Sequence, residues 1–276
     1  MKRIADLHTH STASDGQYSP AELVGLAREA GVEVLALTDH DTVDGVAEAM
    51  EAGRVFGVQV IPGIELSARE YNTFHILGYG IDPGNRDLLA LCEERKTRRD
   101  QRSLLILQYL EEKGVFLTLE EVEGAAGGLV IGRPHFARVM LDKGYISDMR
   151  QAFDCYLDTE EYHERVGNTR PTAQRCIEVL KAAGGKVSLA HPHQIGIEDG
   201  ALRQLVGELK NWGLDAIECF YPRHTPKQTE FYLQLAEQYG LQVTAGSDFH
   251  GEQVKADVVM LGIPLDLSWM GVEQNR

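Results

Sequence analysis

The sequence has few cysteines, and none of them is arranged as a metal or disulfide motif. Four occur in 276 residues, without a Cys-x-x-Cys pair. Each has apolar neighbours, so we expect buried thiols and assign no ligand role to them. A metal site in this chain is therefore expected to use nitrogen and oxygen ligands. The four are Cys92, Cys155, Cys176 and Cys219.

Long hydrophobic runs are also lacking. No apolar stretch approaches the roughly 20 residues of a transmembrane helix, and the N-terminus has no signal-peptide hydrophobic segment. These absences predict a cytoplasmic protein with no membrane partner, and no feature indicates an obligate protein partner. The content of 43% hydrophobic and 25% charged residues is ordinary for a soluble globular protein, and 276 residues suffice for one barrel, with or without an insertion.

Positive charge is in short supply. The formal net charge of −15 argues against broad, nonspecific attraction to nucleic acid or to an anionic membrane, because both carry dense negative charge. It does not exclude a local anion site. Part of the acidic excess falls on candidate metal ligands, whose charge a bound cation would reverse.

What the sequence does contain is a series of His, Asp and Glu residues at the ends of predicted strands. The apolar run at residues 4–7 includes Asp6 and leads into His8-Thr9-His10. Alternate residues of a strand share a face, so both imidazoles would project together and bind one divalent ion. Similar positions recur after or within later apolar runs, at His40, Glu65, His75, His191, Asp248 and His250.

These strands alternate with helices, which predicts a barrel of about seven strands. Ser19-Pro20-Ala21-Glu22 has the form of a capping box with proline at the first helical position, and Thr225-Pro226-Lys227-Gln228 repeats it. In a barrel of alternating strands and helices, the carboxyl ends of the strands meet at one mouth, where active sites lie. The candidate ligands are therefore predicted to meet there.

The alternation stops between residues 83 and 170. A long polar helical pattern covers about residues 86–113, and further helical segments follow at 136–141 and 149–157. We interpret this stretch as a helical insertion domain that covers the barrel mouth and selects the substrate. The barrel domain would then comprise residues 1–82 and 171–276.

The motifs in their order resemble the polymerase and histidinol phosphatase (PHP) family. His-x-His, Thr-Asp-His, Gly-x-Glu, an isolated His, His-Pro and Ser-Asp-x-His cover residues 3–82 and 172–251. The resemblance implies an α/β fold, a distorted (β/α)7 barrel, that holds up to three divalent ions. The first ion would be held by His8, His10, Glu65 and Asp248, the second by Glu65, His75 and His191, and the third by Asp15, His40 and His250.

These ligand types favour Mn²⁺, with Zn²⁺ and Fe²⁺ as alternatives. Two ions about 3.5–4 Å apart can deprotonate a bridging water and hold the oxygens of an in-line displacement at phosphorus. A third ion can neutralise charge as it develops. We therefore expect hydrolysis by a metal-bridging hydroxide, without a side-chain nucleophile.

Further residues are candidates for catalysis and for substrate binding. Arg133-Pro134-His135 and Arg170-Pro171 place guanidinium groups in predicted loops, where they would bind phosphate bidentately; exposed surface arginines are the alternative. His193 and His224 follow strand ends and are candidate phosphate donors, with surface positions as the alternative. His193 is also the candidate general acid, and Asp15 is a candidate catalytic residue as well as a ligand.

The resemblance to small stand-alone PHP proteins implies removal of the 3′-phosphate from 3′,5′-bisphosphonucleotides, for example adenosine 3′,5′-bisphosphate (pAp) to AMP and phosphate. Three alternatives stay open. These are 5′-3′ exoribonuclease activity on short RNA oligonucleotides, histidinol-phosphate phosphatase activity, and a non-catalytic nucleotide-binding regulatory module. The arginine-bearing insertion weighs against the second alternative, and the complete ligand set weighs against the third.

Overall fold

The chain forms two compact units. A computed structural model describes residues 2–126, 131–167 and 169–271. The first unit comprises residues 1–92 and 170–276, and the second comprises residues 93–169. Within the described ranges, the buried apolar side chains of each unit form their own clusters.

The first unit is built around a sheet of eight strands, counted over the described residues. The strands are β1 (Arg3–Thr9), β2 (Val34–Leu37), β3 (Gln59–Ser67), β4 (His75–Tyr79), β5 (Lys186–Leu189), β6 (Ala216–Phe220), β7 (Gln242–Ala245) and β8 (Ile263–Leu265). Their order in the sheet is β7-β6-β5-β4-β3-β2-β1-β8. Strands β1 to β3 are parallel, as are β5 to β7, whereas β4 is antiparallel to both neighbours and β8 is antiparallel to β1.

Ten α-helices occur within the described ranges. They are α1 (Pro20–Glu29), α2 (Val46–Phe56), α3 (Arg86–Glu112), α4 (Leu119–Ala126), α5 (Arg133–Asp142), α6 (Met149–Ala152), α7 (Glu160–Arg165), α8 (Ala173–Ala182), α9 (Asp199–Trp212) and α10 (Pro226–Tyr239). A π-helix at Phe153–Leu157 continues α6, and short 3-10 helices lie at Pro192–Ile195 and Ser268–Met270. None of these helices has the length and apolar character needed to cross a membrane.

Both predicted capping boxes are present. The Ser19 hydroxyl accepts a hydrogen bond from the Glu22 backbone N–H at 3.3 Å, and the Glu22 carboxylate accepts one from the Ser19 N–H at 2.9 Å. Thr225 and Gln228 form the same reciprocal pair before α10. Since each box satisfies two backbone donors at a helix start, the local sequence determines where α1 and α10 begin.

The sheet curls into a nearly closed barrel, which confirms the predicted fold class. At the mouth, Thr9 forms a parallel bridge with Phe249, and the Asp248 N–H donates to the His8 carbonyl at 2.8 Å. The segment after β7 therefore runs beside the end of β1. Strand β8 was not predicted, because three residues are too few to show an alternating pattern.

The second unit is helical in its described residues. Its core includes Tyr109 from α3, Phe136 from α5 and Tyr162 from α7. A bidentate ion pair between Arg165 and Glu112, with N–O distances of 2.5 and 2.7 Å, joins α7 to the end of α3. The first turns of α3 belong to the other unit, since Leu88 and Leu91 are buried in its core.

The cysteines differ in exposure. Cys176 and Cys219 are buried and Cys92 is partly buried, whereas Cys155 is exposed. The expectation of a buried thiol is therefore wrong for Cys155. This residue lies in the π-helix, where sequence neighbours point in other directions, so apolar neighbours do not imply burial of the residue between them.

Candidate metal centre

The predicted ligands meet at one end of the barrel. His8 lies near the carboxyl end of β1, and His40, His191 and Asp248 follow β2, β5 and β7. His75 reaches the same end by a different route. It is the first residue of β4, and because β4 is antiparallel, the start of this strand lies where its neighbours end.

Glu65 lies at the centre of the cluster. Its Oε2 atom is 3.2 Å from Nε2 of His8 and 3.2 Å from Nε2 of His10. The same oxygen is 3.0 Å from Nδ1 of His40. Three imidazoles from two strand ends therefore converge on one carboxylate oxygen.

The other oxygen of Glu65 faces two more imidazoles. Oε1 is 2.8 Å from Nδ1 of His75 and 3.1 Å from Nε2 of His191, and these two nitrogens are 3.3 Å apart. Since the two carboxylate oxygens face different histidines, Glu65 has the geometry of a bridging ligand between neighbouring ions.

Three groups of candidate ligand atoms have the spacing of a metal site within the described residues. The groups are His8, His10, Glu65 and Asp248; His10, Asp15, His40 and His250; and His40, Glu65 and His75. The first has the same members as the predicted first site, and the second contains the predicted third site. The last shares Glu65 and His75 with the predicted second site but contains His40 instead of His191.

The side chains fit a bound cation. Within the described part of the chain, several buried side-chain atoms of the cluster have no hydrogen-bond partner, among them His8 Nε2, His10 Nε2, His40 Nδ1 and Glu65 Oε2. Leaving such atoms unpaired in a protein interior costs free energy, and a divalent ion would offset that cost. Imidazole and carboxylate are ligands for Mn²⁺, Fe²⁺ and Zn²⁺.

The two histidines of the His-x-His motif differ in their electrostatics. Burial lowers the pKa of His10 to about 4, assisted by the nearby His250 and His40. Burial also opposes the charged form of His8, but the carboxylates of Glu65, Glu218 and Asp248 outweigh it and raise the pKa of His8. Glu218 contributes to this difference, because its carboxylate contacts His8 Nδ1 at 3.2 Å, whereas His250 and His40 act on His10.

The carboxylates of the cluster are held in the charged form. Burial opposes ionisation of Glu65, yet the neighbouring His40, His8 and His75 lower its pKa well below the usual range. The pKa of Asp15 is also lowered, against the effect of burial, chiefly by His40 and His250. Negative charge is therefore available at the mouth to bind cations.

Backbone strain coincides with the ligands. His191 has φ of 22° and Asp248 has φ of 56°, which are left-handed values that non-glycine residues seldom adopt. Asp41, next to His40, has φ of 54°. Each such conformation costs about 1–3 kcal/mol and typically persists where function requires it.

Three buried carboxylates around the ligands were not predicted from the sequence as parts of the site. Asp39 accepts hydrogen bonds from the Ser11 N–H at 2.7 Å and from the Ser14 hydroxyl at 2.6 Å, and so orders the loop that carries Asp15. Asp6 and Glu218 lie inside strands β1 and β6. An acidic residue within an apolar strand was the available signal, but the pattern does not say which ligand it contacts.

The candidate substrate-binding residues fall in both units. Arg133 and His135 belong to the second unit, where Arg133 Nη1 donates to Asp158 Oδ1 at 2.6 Å and to the Leu157 carbonyl at 3.0 Å. His135 Nδ1 accepts from the Gly132 N–H at 2.9 Å. Arg170 belongs to the first unit, and its Nη1 donates to the Asn72 carbonyl at 2.7 Å.

His193 and His224 lie together in the first unit. Their ring centroids are 4.9 Å apart, and each is about 5 Å from the ring of Tyr221. The Tyr221 hydroxyl in turn donates to the candidate ligand Asp248 at 3.0 Å. Tyr221 therefore links the His193–His224 pair to the ligand cluster.

A distorted barrel with a histidine and carboxylate cluster at its mouth defines a class of metal-binding α/β barrel proteins. A family model described as the PHP domain matches residues 6–162, more than half of the chain. The chain belongs to the PHP family. The predicted resemblance is thereby confirmed.

Curated relatives match over almost the whole chain but differ in their named activities. A 5′-3′ exoribonuclease from Haemophilus influenzae is 37% identical over 91% of each chain. A phosphoribosyl 1,2-cyclic phosphate 1,2-diphosphodiesterase from Eggerthella lenta is 34% identical over 95% of this chain and 99% of its own. A 3′,5′-nucleoside bisphosphate phosphatase from Chromobacterium violaceum is 31% identical over 89% of this chain and 86% of its own.

Solved structures share the fold. One from Bifidobacterium adolescentis, named as a candidate metal-dependent phosphoesterase, matches with a TM-score of 0.75 and 28% identity over 95% of this chain and 91% of its own. The names of the relatives all denote hydrolysis of phosphate esters, and this structural neighbour is named as metal-dependent. The chain is a metal-dependent phosphoesterase of the PHP family. The names of the relatives do not agree on one substrate.

Proposed function

We propose that this protein hydrolyses the 3′-phosphate of 3′,5′-bisphosphonucleotides, for example pAp to AMP and phosphate. The observation that carries the proposal is the cluster around Glu65, whose two oxygens face five imidazoles at 2.8–3.2 Å. This many converging metal-competent side chains favour metal-ion catalysis at phosphorus. The Chromobacterium violaceum relative supports the choice of substrate.

Three divalent ions, with Mn²⁺ favoured over Zn²⁺ and Fe²⁺, would occupy the ligand sets. Glu65 would bridge the first two, and the more exposed set of Asp15, His40 and His250 would hold the third. Asp15 is 29% exposed and lies 3.3 Å from His250 Nε2. Bound divalent ions supply an activated water and neutralise charge on a phosphate.

His193 is proposed to bind the phosphate and to protonate the leaving oxygen. Burial lowers its pKa to about 4, assisted by His224 and His191, so it is neutral at physiological pH. A phosphate dianion beside the ring would raise this pKa, because it favours the charged form. The proton can then move from the ring to the 3′ oxygen as the bond to phosphorus breaks.

His224 is proposed to position the substrate from beside His193. Its Nδ1 atom lies 3.0 Å from the Cys219 carbonyl, which can only accept a hydrogen bond, so Nδ1 carries the proton. While the ring is neutral, Nε2 is an acceptor. His224 therefore suits a hydroxyl of the substrate better than a phosphate oxygen.

Arg133, with His135 beside it, and Arg170 are each proposed as a separate candidate for binding the second phosphate. Arg133 is held in place through Nη1 by Asp158 and Leu157, and a guanidinium has further N–H groups in a fixed plane. Pre-orientation of this kind lowers the entropy lost when an anion binds. The second phosphate would distinguish a bisphosphorylated nucleotide from a simple monoester.

A second candidate is 5′-3′ exoribonuclease activity, which the Haemophilus influenzae relative supports at 37% identity. Both reactions break the bond between a 3′ oxygen and phosphorus next to a 5′-phosphorylated nucleoside. They differ in the phosphate that is attacked, which is a terminal monoester in the bisphosphonucleotide and a diester linked to the next nucleotide in RNA. The two activities therefore require the same ligand cluster and differ in how much substrate the protein accommodates.

The test is phosphate and nucleotide release by the Mn²⁺-loaded protein from pAp, 3′-AMP, 5′-AMP, histidinol phosphate and a short 5′-phosphorylated RNA. We expect pAp to be cleaved faster than either monophosphate, and Asp248→Asn or chelation to abolish release. Equal rates for pAp and 3′-AMP would refute a role for the 5′-phosphate. Faster nucleotide release from RNA would favour the exoribonuclease, and binding of pAp without turnover would favour a regulatory module.

A further inference from the structure

Glu218 lies in the middle of β6 and is fully buried beneath the ligand cluster. Its Oε1 atom is 3.2 Å from Nδ1 of His8, and its Oε2 atom accepts a hydrogen bond from the backbone N–H of His191 at 2.7 Å. A buried carboxylate is costly unless its oxygens accept hydrogen bonds. Here both oxygens are directed at candidate metal ligands.

The contact with His8 determines which ring nitrogen can bind a cation. An ionised carboxylate only accepts hydrogen bonds, so His8 Nδ1 must carry the ring proton. In the neutral form of the ring, which is the form that binds a metal, Nε2 then presents its lone pair, and it lies 3.2 Å from Glu65 Oε2 and 3.6 Å from Asp248 Oδ1. Glu218 thus directs the metal-binding atom of His8 into the first ligand set.

The contact with His191 acts on the backbone instead. His191 has φ of 22° and ψ of 65°, a conformation outside the regular helix and strand regions. The hydrogen bond from its N–H to Glu218 satisfies this backbone donor in that conformation. The side chain is thereby placed with Nε2 3.1 Å from Glu65 Oε1, in the second ligand set.

We propose that Glu218 is a positioning residue that couples the first and second ion sites, by selecting the His8 tautomer through one oxygen and holding the His191 backbone through the other. This inference rests on the proposed metal centre. The third set, Asp15, His40 and His250, makes no contact with Glu218 among the described residues, so its affinity should be unaffected.

The substitution Glu218→Gln separates these effects without changing the side-chain size. If the amide oxygen faces the His191 N–H, the amide NH2 faces His8 Nδ1, which must then accept. The ring proton moves to Nε2 and blocks the metal-binding lone pair. If the amide is reversed, its NH2 group faces the His191 N–H, and two donors cannot form a hydrogen bond. Either orientation disrupts one of the two sites.

The measurement is Mn²⁺ binding by equilibrium dialysis with the wild-type protein and with Glu218→Gln. We expect about 10–100-fold weaker binding at the first or the second site, the usual effect of removing a partner of a metal ligand, and an unchanged third site. The matched control is Glu33→Gln, which alters an exposed carboxylate that accepts from Arg3 and from the Ile4 N–H.

The outcomes distinguish this inference from the proposed function. Wild-type protein that binds no Mn²⁺ would refute the metal centre itself. Wild-type binding that Glu218→Gln leaves unchanged, or weakens equally at every site, would overturn the role of Glu218 alone.

A second measurement covers the case in which Glu218→Gln does not fold. Nitrogen-15 NMR of the Zn²⁺-loaded wild-type protein reports the protonation of each ring nitrogen, since Zn²⁺ is diamagnetic. We expect His8 to carry its proton on Nδ1 and to bind Zn²⁺ through Nε2. Zn²⁺ bound through Nδ1 of His8 would overturn the inference.

Discussion

The hydroxyl of Tyr221 donates a hydrogen bond of 3.0 Å to Oδ2 of Asp248. Lys255 Nζ donates to the same oxygen at 2.7 Å. With Oδ2 engaged by two donors, Oδ1 is the oxygen that faces the cluster, 3.2 Å from His10 Nε2. Tyr221 and Lys255 together orient one candidate ligand from outside the ligand sets.

Replacing Tyr221 by phenylalanine should therefore weaken metal binding without unfolding the protein. We expect about a tenfold loss of Mn²⁺ affinity, at the low end for partners of metal ligands, because Lys255 still holds Oδ2. Isothermal titration calorimetry measures the change. Tyr239→Phe is the control, since it removes a hydroxyl that donates to the Arg203 carbonyl at 2.9 Å. Equal affinities in the two variants would contradict the orienting role.

Metal removal should destabilise the protein. Buried nitrogens of His8 and His10 and one oxygen of Glu65 have no hydrogen-bond partner, and a bound cation would satisfy them. When the free Mn²⁺ concentration is about 100 times the dissociation constant, one bound ion adds about 2.7 kcal/mol to the free energy of unfolding. Thermal unfolding with Mn²⁺ and after chelation measures this gain. A gain of the same size in Asp248→Asn would show that the ion binds elsewhere.

The stability of the folded protein should depend on pH through His193, whose pKa is lowered to about 4 mainly by burial. In the unfolded chain His193 has its ordinary pKa of 6.5 and takes up a proton as the pH falls below that value. In the folded chain it takes up the proton only when the pH approaches about 4. The stability that neutral His193 contributes is therefore present above pH 6.5 and lost as the pH falls toward 4.

Urea unfolding of the metal-free protein at about pH 5 and pH 7 measures this dependence. His193→Gln should lose less stability on acidification than the wild-type protein. His163→Gln is the control, because His163 is exposed in the second unit. An NMR titration that gives His193 an ordinary or raised pKa would refute the prediction.

The cysteines should react in a fixed order. Cys155 is exposed, Cys176 and Cys219 are buried, and burial raises the pKa of Cys92 to about 12. At about pH 8 a thiol-specific reagent should label one cysteine in the native protein, because the thiolate is the reactive form. All four should react after unfolding. Rapid labelling of Cys155→Ser would contradict this assignment.

Much of the fold and most of the candidate ligands were predictable from local patterns. An apolar run followed by His, Asp or Glu identifies a strand and its functional end, as at His8, His40 and Asp248. A capping box identifies a helix start, as at Ser19. These features depend on neighbouring residues, so the sequence displays them directly.

Other features depended on strand order and direction. His75 looked like a histidine inside an apolar run, and only the antiparallel pairing of β4 brings it to the mouth. One ligand group contains His40 where the sequence predicted His191, because the distances between the loops that carry these residues depend on the fold. The boundary inside α3 reflects which apolar residues pack into which core, which a continuous helical pattern does not reveal.

The sequence by itself determined the chemistry of this protein, because the types and order of the metal-competent residues are local properties of the chain. Only the tertiary structure decided how that chemistry is oriented. Glu218 contacts His8 across 210 positions, and Tyr221 contacts Asp248 from a different strand end. Such contacts form only in the folded barrel, because side chains distant in sequence come together when the strands pair in the sheet.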